Sequence, residues 1–246
     1  ATHSTQTNEV GRCGLLLPAF GVLGAELGPL AWIDVGTSAG LNLRLDRYEY
    51  RYEPGGAVGG PSSVRVEVGT RGSVPVPDAL PTFGRRIGLD RDPLDPTDPI
   101  AGRWLRACVW PDQVDRFRRL DAAIELSAET PVEMHRGDAV DDLAAIVSTV
   151  APDVPVVVTT TWVLPYLSDD RRTRFVATLD RIGAARDLSW IYAESPADAD
   201  GVPFADEVRG RAVTALGLVR WRDGERRLDH LGVAHPHGVW LHWHDA

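Results

Sequence analysis

The most chemically suggestive spacing in this 246-residue chain is a carboxylate followed by a turn of small residues, Asp34-x-Gly36-x-Ser38-x-Gly40. Leu30 to Val35 ahead of it is an apolar run with β-branched and aromatic members, which predicts a buried strand in a parallel sheet. Leu41 to Leu45 behind it has an apolar spacing suited to a helix. A strand, a tight turn and a helix together bring backbone N–H groups and a helix N-terminus to a ligand. Gly36-x-Ser38-x-Gly40 fits a nucleophile elbow, in which a strained turn exposes a serine. A dinucleotide fingerprint fits poorly, because Ser38 and Leu41 stand at its second and third glycine positions. A turn without any ligand is the plain alternative.

Further candidates stand where predicted strands end. Asp90 closes Arg86 to Asp90, where doubly wound folds place an acid against ribose hydroxyls. Asp95, in the rigid Asp92 to Pro99 turn, is its rival. The roughly 20 residues usual between fingerprint and acid are exceeded here, and an inserted hairpin accounts for the excess. Gly137-Asp138-Ala139 follows Val132 to Arg136, with Asp138 also suited to capping the next helix. Thr160 and Trp162 close the very apolar Val154 to Thr160, and Glu194 follows Leu188 to Ala193. Gln6 to Arg12 is dense in hydrogen-bonding groups; either Asn8, Glu9 and Arg12 line a site, or Thr7 or Asn8 caps a helix over Asn8 to Leu27 with Glu9 in its first turn. His235 and His237 flank a late turn, and His237 with Glu194 would sit where a base removes an acceptor's proton. Metal binding by His235, His237 and His242 lacks a matching carboxylate or cysteine spacing, so no metal is expected.

Asp34-x-Gly36-x-Ser38-x-Gly40 resembles the first motif of Rossmann-like S-adenosylmethionine-dependent methyltransferases, with Ser38 in place of the middle glycine. A carboxylate at Asp34 would repel a pyrophosphate and attract the ammonium and sulfonium of that cofactor. The resemblance implies cofactor contacts from Asp34, Gly36, Ser38, Gly40, Asn42, Asp90, Asp138, Ala139 and Thr160. It implies acceptor contacts from Asn8, Glu9, Arg12 and Trp162. Gly137-Asp138-Ala139 is similar to the motif whose acid receives the adenine amino group. The stretches Thr7 to Arg12, Gly36 to Leu43 and Trp104 to Pro111 also resemble a bacterial domain-of-unknown-function family, whose extra helical N-terminal segment is missing here. The expected function is methyl transfer to a small or medium-sized acceptor, mostly by positioning. The alternatives are a serine hydrolase built on Ser38, an acid such as Asp138 and a late histidine, or a non-catalytic cofactor-binding module.

These residues need a frame, and the chain supplies the elements of one α/β domain over residues 1–246. The expected strand order is 3-2-1-4-5-7-6 with the seventh strand antiparallel. A β-hairpin is inserted at about residues 47–70, where Tyr48, Tyr50 and Tyr52, then Val64, Val66 and Val68, alternate with polar residues. That hairpin would extend the sheet, make a homodimer contact, or form a lid over the acceptor. Helices are expected over Ile100 to Trp110, Val114 to Ala128, Asp141 to Val150 and Asp169 to Ile182. Phe117, Leu120 and Ile124 mark a core face on the second, and Arg116, Arg118 and Arg119 a solvated one. Hydrophobic content of 43% and charged content of 25% are ordinary for a globular chain. A net charge of -9 argues against nucleic acid as a partner. Cys13 and Cys108 match no metal spacing and suit a reducing compartment. No apolar run is expected to span a membrane and no signal peptide is visible, so a cytoplasmic location is expected. The chain opens on Ala rather than Met, as a trimmed sequence would.

Overall fold

The computed structural model describes residues 7–197 and 201–244; Ala1 to Gln6, part of the polar N-terminal stretch, lies outside them. A 3-10 turn, Val10–Arg12, leads into α1 (Cys13–Leu27) and then β1 (Leu30–Val35). β2 (Glu49–Glu53), β3 (Gly56–Val58), β4 (Arg65–Arg71) and β5 (Phe83–Asp90) follow. Next come α2 (Pro99–Ala107), α3 (Val114–Ser127), β6 (Glu133–Arg136), α4 (Leu143–Ser148), β7 (Val156–Thr161), α5 (Asp169–Gly183) and β8 (Leu188–Glu194). β9 (Thr214–Arg222), β10 (Glu225–Ala234) and β11 (Trp240–Trp243) close the chain. Among the described residues these strands form one sheet in the order β3-β2-β4-β11-β10-β9-β8-β7-β1-β5-β6. The fold is α/β with a mixed sheet whose β6-β5-β1-β7-β8 portion is parallel throughout.

β1 lies well inside the sheet because both of its faces are apolar. Leu30 and Trp32 join one core with α1, α2 and α3, whereas Ala31, Ile33 and Val35 join a second with α4 and α5. Alternation along one strand thus feeds two layers of helices. Trp32 packs 4.7 Å from Phe20 and 5.0 Å from Phe83, ring to ring. Fully buried aromatic clusters of this kind are costly to truncate, at about 3–5 kcal/mol for a ring.

α1 runs close over β4: a Cβ on Gly14 would lie 2.5 Å from a Val68 methyl. Pro18 within α1 has no N–H to give the Gly14 carbonyl, and the Tyr52 hydroxyl donates to that oxygen at 2.9 Å instead. Contrary to the sequence expectation, Val10–Leu27 is long and apolar enough to cross a membrane, with a mean hydropathy of 1.4. It lies against the sheet, 67% buried within the protein.

Four other expectations are corrected. The last strands run in simple succession, β8 to β9 to β10, rather than in the order 7-6. Asp223 and Gly224, at φ 51° and 79°, close β9 onto β10, while β9 fills the free edge of β8. The inserted segment is not a simple hairpin: β3 folds back on β2, so β4 returns parallel to β2 and the group extends the sheet beyond β11. Tyr48, Tyr50, Tyr52, Val64, Val66 and Val68 are all buried, as their alternation requires. Leu41 to Leu45 forms no α-helix, since Asn42–Arg47 is a 3-10 turn kinked at Arg44. On α3, Phe117 is 40% exposed whereas Arg116 and Arg119 turn inward to Glu9.

Candidate functional site

A cleft of about 670 Å³ opens at the carboxyl ends of β1, β5, β6 and β7. After β1 the chain builds β5 and β6 on one side, then crosses to place β7 and β8 on the other. Such a reversal leaves a crevice that the connecting loops do not fill.

The turn after β1 forms the floor. Gly36, Ser38 and Gly40 have φ of 71°, 55° and 66°, a conformation that favours glycine at the first and last. Side chains are also excluded there, since a Cβ on Gly36 would lie 2.3 Å from Val163 and one on Gly40 2.9 Å from the Met134 sulfur. Every backbone N–H from Gly36 to Leu41 has a partner within the protein. Gly36 and Thr37 donate to the Leu89 carbonyl, and Gly40 to that of Thr37. Ser38 donates to Asp90 Oδ2 at 2.7 Å. Ala39 and Leu41 donate to Asn8 Oδ1 at 3.2 and 3.0 Å. The turn therefore offers its N–H groups to no anion, unlike a phosphate-binding loop. It also lacks an oxyanion donor at Ala39, the residue after the candidate nucleophile. Ser38 Oγ is buried with no hydrogen-bond partner, so no base activates it.

Asp34 lies beneath this floor and does not line the cleft. Trp32 Nε1 donates to Thr159 Oγ1 at 2.8 Å, and that hydroxyl donates to Asp34 Oδ1 at 2.6 Å. Burial pushes the Asp34 carboxyl up to about 6, against the Thr159 bond. Gly40 is likewise behind the lining, where Arg44 Nη1 donates to its carbonyl at 2.7 Å. Asn42 does line the cleft and accepts a long contact from the Cys13 thiol at 3.5 Å.

Carboxylates dominate one wall. Asp90 accepts from Ser38 N and, at 2.9 Å, from Asp92 N. Asp95 is exposed, bonded to Thr97 and absent from the lining, so Asp90 is the acid at the cleft. Asp138 accepts from Val140 N at 2.8 Å and pairs with Arg171, while Ala139 lines the cleft beside it.

The opposite wall gathers the N-terminal segment, the end of β7 and the β10–β11 turn. Glu9 is buried and takes Gly11 N at 3.0 Å, Arg116 at 2.5 Å and Arg119 at 3.5 Å. Its Oε2 lies 3.5 Å from His237 Nδ1. Burial and the Arg116 charge pull His237 down to about 4, so its ring is neutral at physiological pH. Arg12 donates through Nε to the Pro236 carbonyl and through Nη1 to that of Thr161, at 3.0 and 3.1 Å. Its guanidinium sits 5.8 Å from the Trp162 ring. Trp162 has φ 58°, a strained value for a bulky residue, and is anchored by Nε1 to Thr214 Oγ1 at 2.9 Å.

Two more expected residues stand outside the lining. Thr160 faces the core, where its hydroxyl accepts from Trp190 Nε1 at 3.1 Å, and Thr161 takes the cleft position. Glu194 is fully buried, its oxygens accepting from Val163 N and Leu164 N at 3.0 and 3.2 Å. Burial pushes its carboxyl up to about 7. It supports the Trp162 segment from behind the lining. Arg91, Asp92, Thr161 and Tyr166 line the cleft and were not singled out from the sequence. For Tyr166 the signal was available: an aromatic in Val-Leu-Pro-Tyr, one short turn past a strand end.

Among the described residues no group of His, Cys, Asp and Glu side chains comes together as a metal site. Compared with curated proteins, the chain matches none. Residues 1–243 match the sequence model of a family described as "Uncharacterized protein conserved in bacteria (DUF2332)", and the chain belongs to that family.

Proposed function

We propose that this protein binds S-adenosylmethionine and transfers its methyl group to a small or medium-sized acceptor, as Rossmann-like methyltransferases do. One observation carries the reading. At the switch-point cleft the turn's N–H groups are all engaged internally, while Asp90 and Asp138 face the space as acceptors. That set of groups suits ribose hydroxyls, an adenine amino group and a cationic ligand, and is wrong for phosphates.

The residues present fit the cofactor. Asp90 uses two lone pairs on backbone N–H groups and keeps two for a ribose diol. Asp138 and Ala139 line the side where the base would lie. Ser38 Oγ, buried and without a partner, supplies a small polar contact at the floor. When bound, the cofactor supplies a methyl group on a cationic sulfur. Trp162, Tyr166 and Leu167 wall the other side. His237 stays neutral with Nδ1 3.5 Å from Glu9 Oε2, and its Nε2 accepts a hydrogen bond from the acceptor's N–H or O–H, orienting that group as a weak base would. Asp34 and Gly40 act below the surface by fixing the floor, and Thr160 stands with Trp190 and Glu194 behind the Trp162 wall. Glu194 fixes that wall.

Hydrolysis through Ser38 is disfavoured, because its hydroxyl meets no histidine and Ala39 N is engaged by Asn8. Calorimetric titration with S-adenosylhomocysteine, ATP and NAD tests the proposal. Binding of the first alone is expected. Binding of either polyphosphate in preference to it would contradict the reading.

A further inference from the structure

Arg12 is 6% exposed, yet it lines the cleft. Its Nε and Nη1 are fixed by two backbone carbonyls, and Nη2 has no hydrogen-bond partner among the described residues. Nor does Arg12 form an ion pair with any described carboxylate. Glu9, the acid nearest in sequence, is held by Arg116 and Arg119 on α3. Glu194, behind the wall, is engaged by Val163 N and Leu164 N. Glu9 and Glu194 act on Arg12 only through space and neither touches it; a buried cation that no carboxylate contacts is costly, and a ligand carboxylate on Nη2 offsets that cost directly. The other cleft cation, Arg91, is exposed and stands beside Asp90 and Asp92.

From this geometry we infer that Arg12 is the reading head of a carboxylate subsite: the molecule at the Trp162 end of the cleft carries a carboxylate that Nη2 binds. The two carbonyls from Thr161 and Pro236 hold the guanidinium at a set angle, and the Trp162 ring lies against it. Preorganisation of that kind suits a planar anion. A phosphate dianion suits the cleft less well, since Asp90, Asp92 and Asp138 line the same space. The carboxylate can belong to the acceptor or to the amino-acid tail of the cofactor. Both assignments rest on the methyl-transfer reading, whereas the subsite itself does not.

Two ligand pairs separate these cases. Benzoate and benzamide differ in charge at equal shape; S-adenosylhomocysteine and 5′-methylthioadenosine differ in the amino-acid tail. Each is titrated into the native protein, Arg12→Gln and Arg12→Lys. The native protein should prefer the carboxylate member of at least one pair by about tenfold or more. Arg12→Gln should abolish that preference and Arg12→Lys should keep part of it. A lost preference within the adenosyl pair assigns the subsite to the cofactor tail; a lost preference within the benzoate pair alone assigns it to the acceptor. If neither adenosyl compound binds but the benzoate preference depends on Arg12, methyl transfer fails and the subsite stands. Should Arg12→Gln not fold, the native preference and the Arg12→Lys result decide. No carboxylate preference in the native protein, or one that survives Arg12→Gln, overturns the inference.

Discussion

Replacing Asn8 by Ala tests how the floor of the cleft is held. Asn8 Oδ1 is the acceptor for two amides of the turn, Ala39 N and Leu41 N, at 3.2 and 3.0 Å. Both residues are buried, and Asn8 itself is partly open to the cleft. A buried donor left without a partner costs about 1–3 kcal/mol. Water entering from the cleft can satisfy part of this, so a loss of about 2 kcal/mol for the pair is expected. For a chain of this length that is a fall in Tm of about 4–8 °C. Asn8→Asp keeps an acceptor oxygen and should recover most of the loss. Urea unfolding gives the stability, and amide hydrogen exchange gives the mechanism. In Asn8→Ala the amides of Ala39 and Leu41 should exchange faster than those of Gly36 and Gly40, whose acceptors are backbone carbonyls. An Asn8→Ala protein within about 0.5 kcal/mol of native, with exchange at those two amides unchanged, would refute the reasoning.

Gly36→Ala should destabilise by about 2 kcal/mol or more, from a left-handed φ and the clash with Val163, and Val163→Ala should restore part of it in urea unfolding. Glu9→Gln leaves Arg116 and Arg119 without their carboxylate and should cost about 3 kcal/mol in the same assay. Burial raises the folded-state pKa of Glu194 to about 7, above its ordinary value of 4.5, so the native state binds more protons between those values. That contribution is complete below about pH 4.5 and lost as pH rises through 7, and Glu194→Gln should flatten this fall in stability. Ser38→Ala should unfold like the native protein because Ser38 Oγ makes no hydrogen bond, and stable labelling of Ser38 by a fluorophosphonate would reinstate the nucleophile.

Much of the frame was legible because it is written locally. Leu30 to Val35 is apolar on both faces, which only an interior strand satisfies, and it is β1 residue for residue. The end of β5 at Asp90 was readable because the short buried run Ile87 to Leu89 is closed by a carboxylate. What stayed hidden depends on partners far away in sequence. Arg116 and Arg119 look like a solvated face until Glu9, more than a hundred residues earlier, is seen between them. Asn8 was weighed as a helix cap or a ligand contact, and it caps a turn thirty residues later. Thr160 and Thr161 are indistinguishable by type, and only the pleat of β7 decides which meets the cleft. The pairing of β2 with β4 eluded a pattern argument because alternation reports burial and not strand direction. Asp90 has a structural duty that its position alone does not reveal, since it holds Ser38 N and Asp92 N. Its removal is therefore expected to lower stability in addition to the proposed nucleoside binding, contrary to what the strand-end position alone suggests.

The central claim is that the Asp90 wall receives a nucleoside. Calorimetric titration of S-adenosylhomocysteine into the native protein and Asp90→Ala, at a temperature where both are folded, tests it most directly. Charge-assisted bonds from a ribose diol are worth about 1.5–3 kcal/mol, so the affinity should fall by about ten- to a hundredfold, with Asp90→Asn between the two and Asp95→Ala equal to native. Native protein that fails to bind the compound at millimolar concentration, or a folded Asp90→Ala that binds it as tightly as native, would contradict the account.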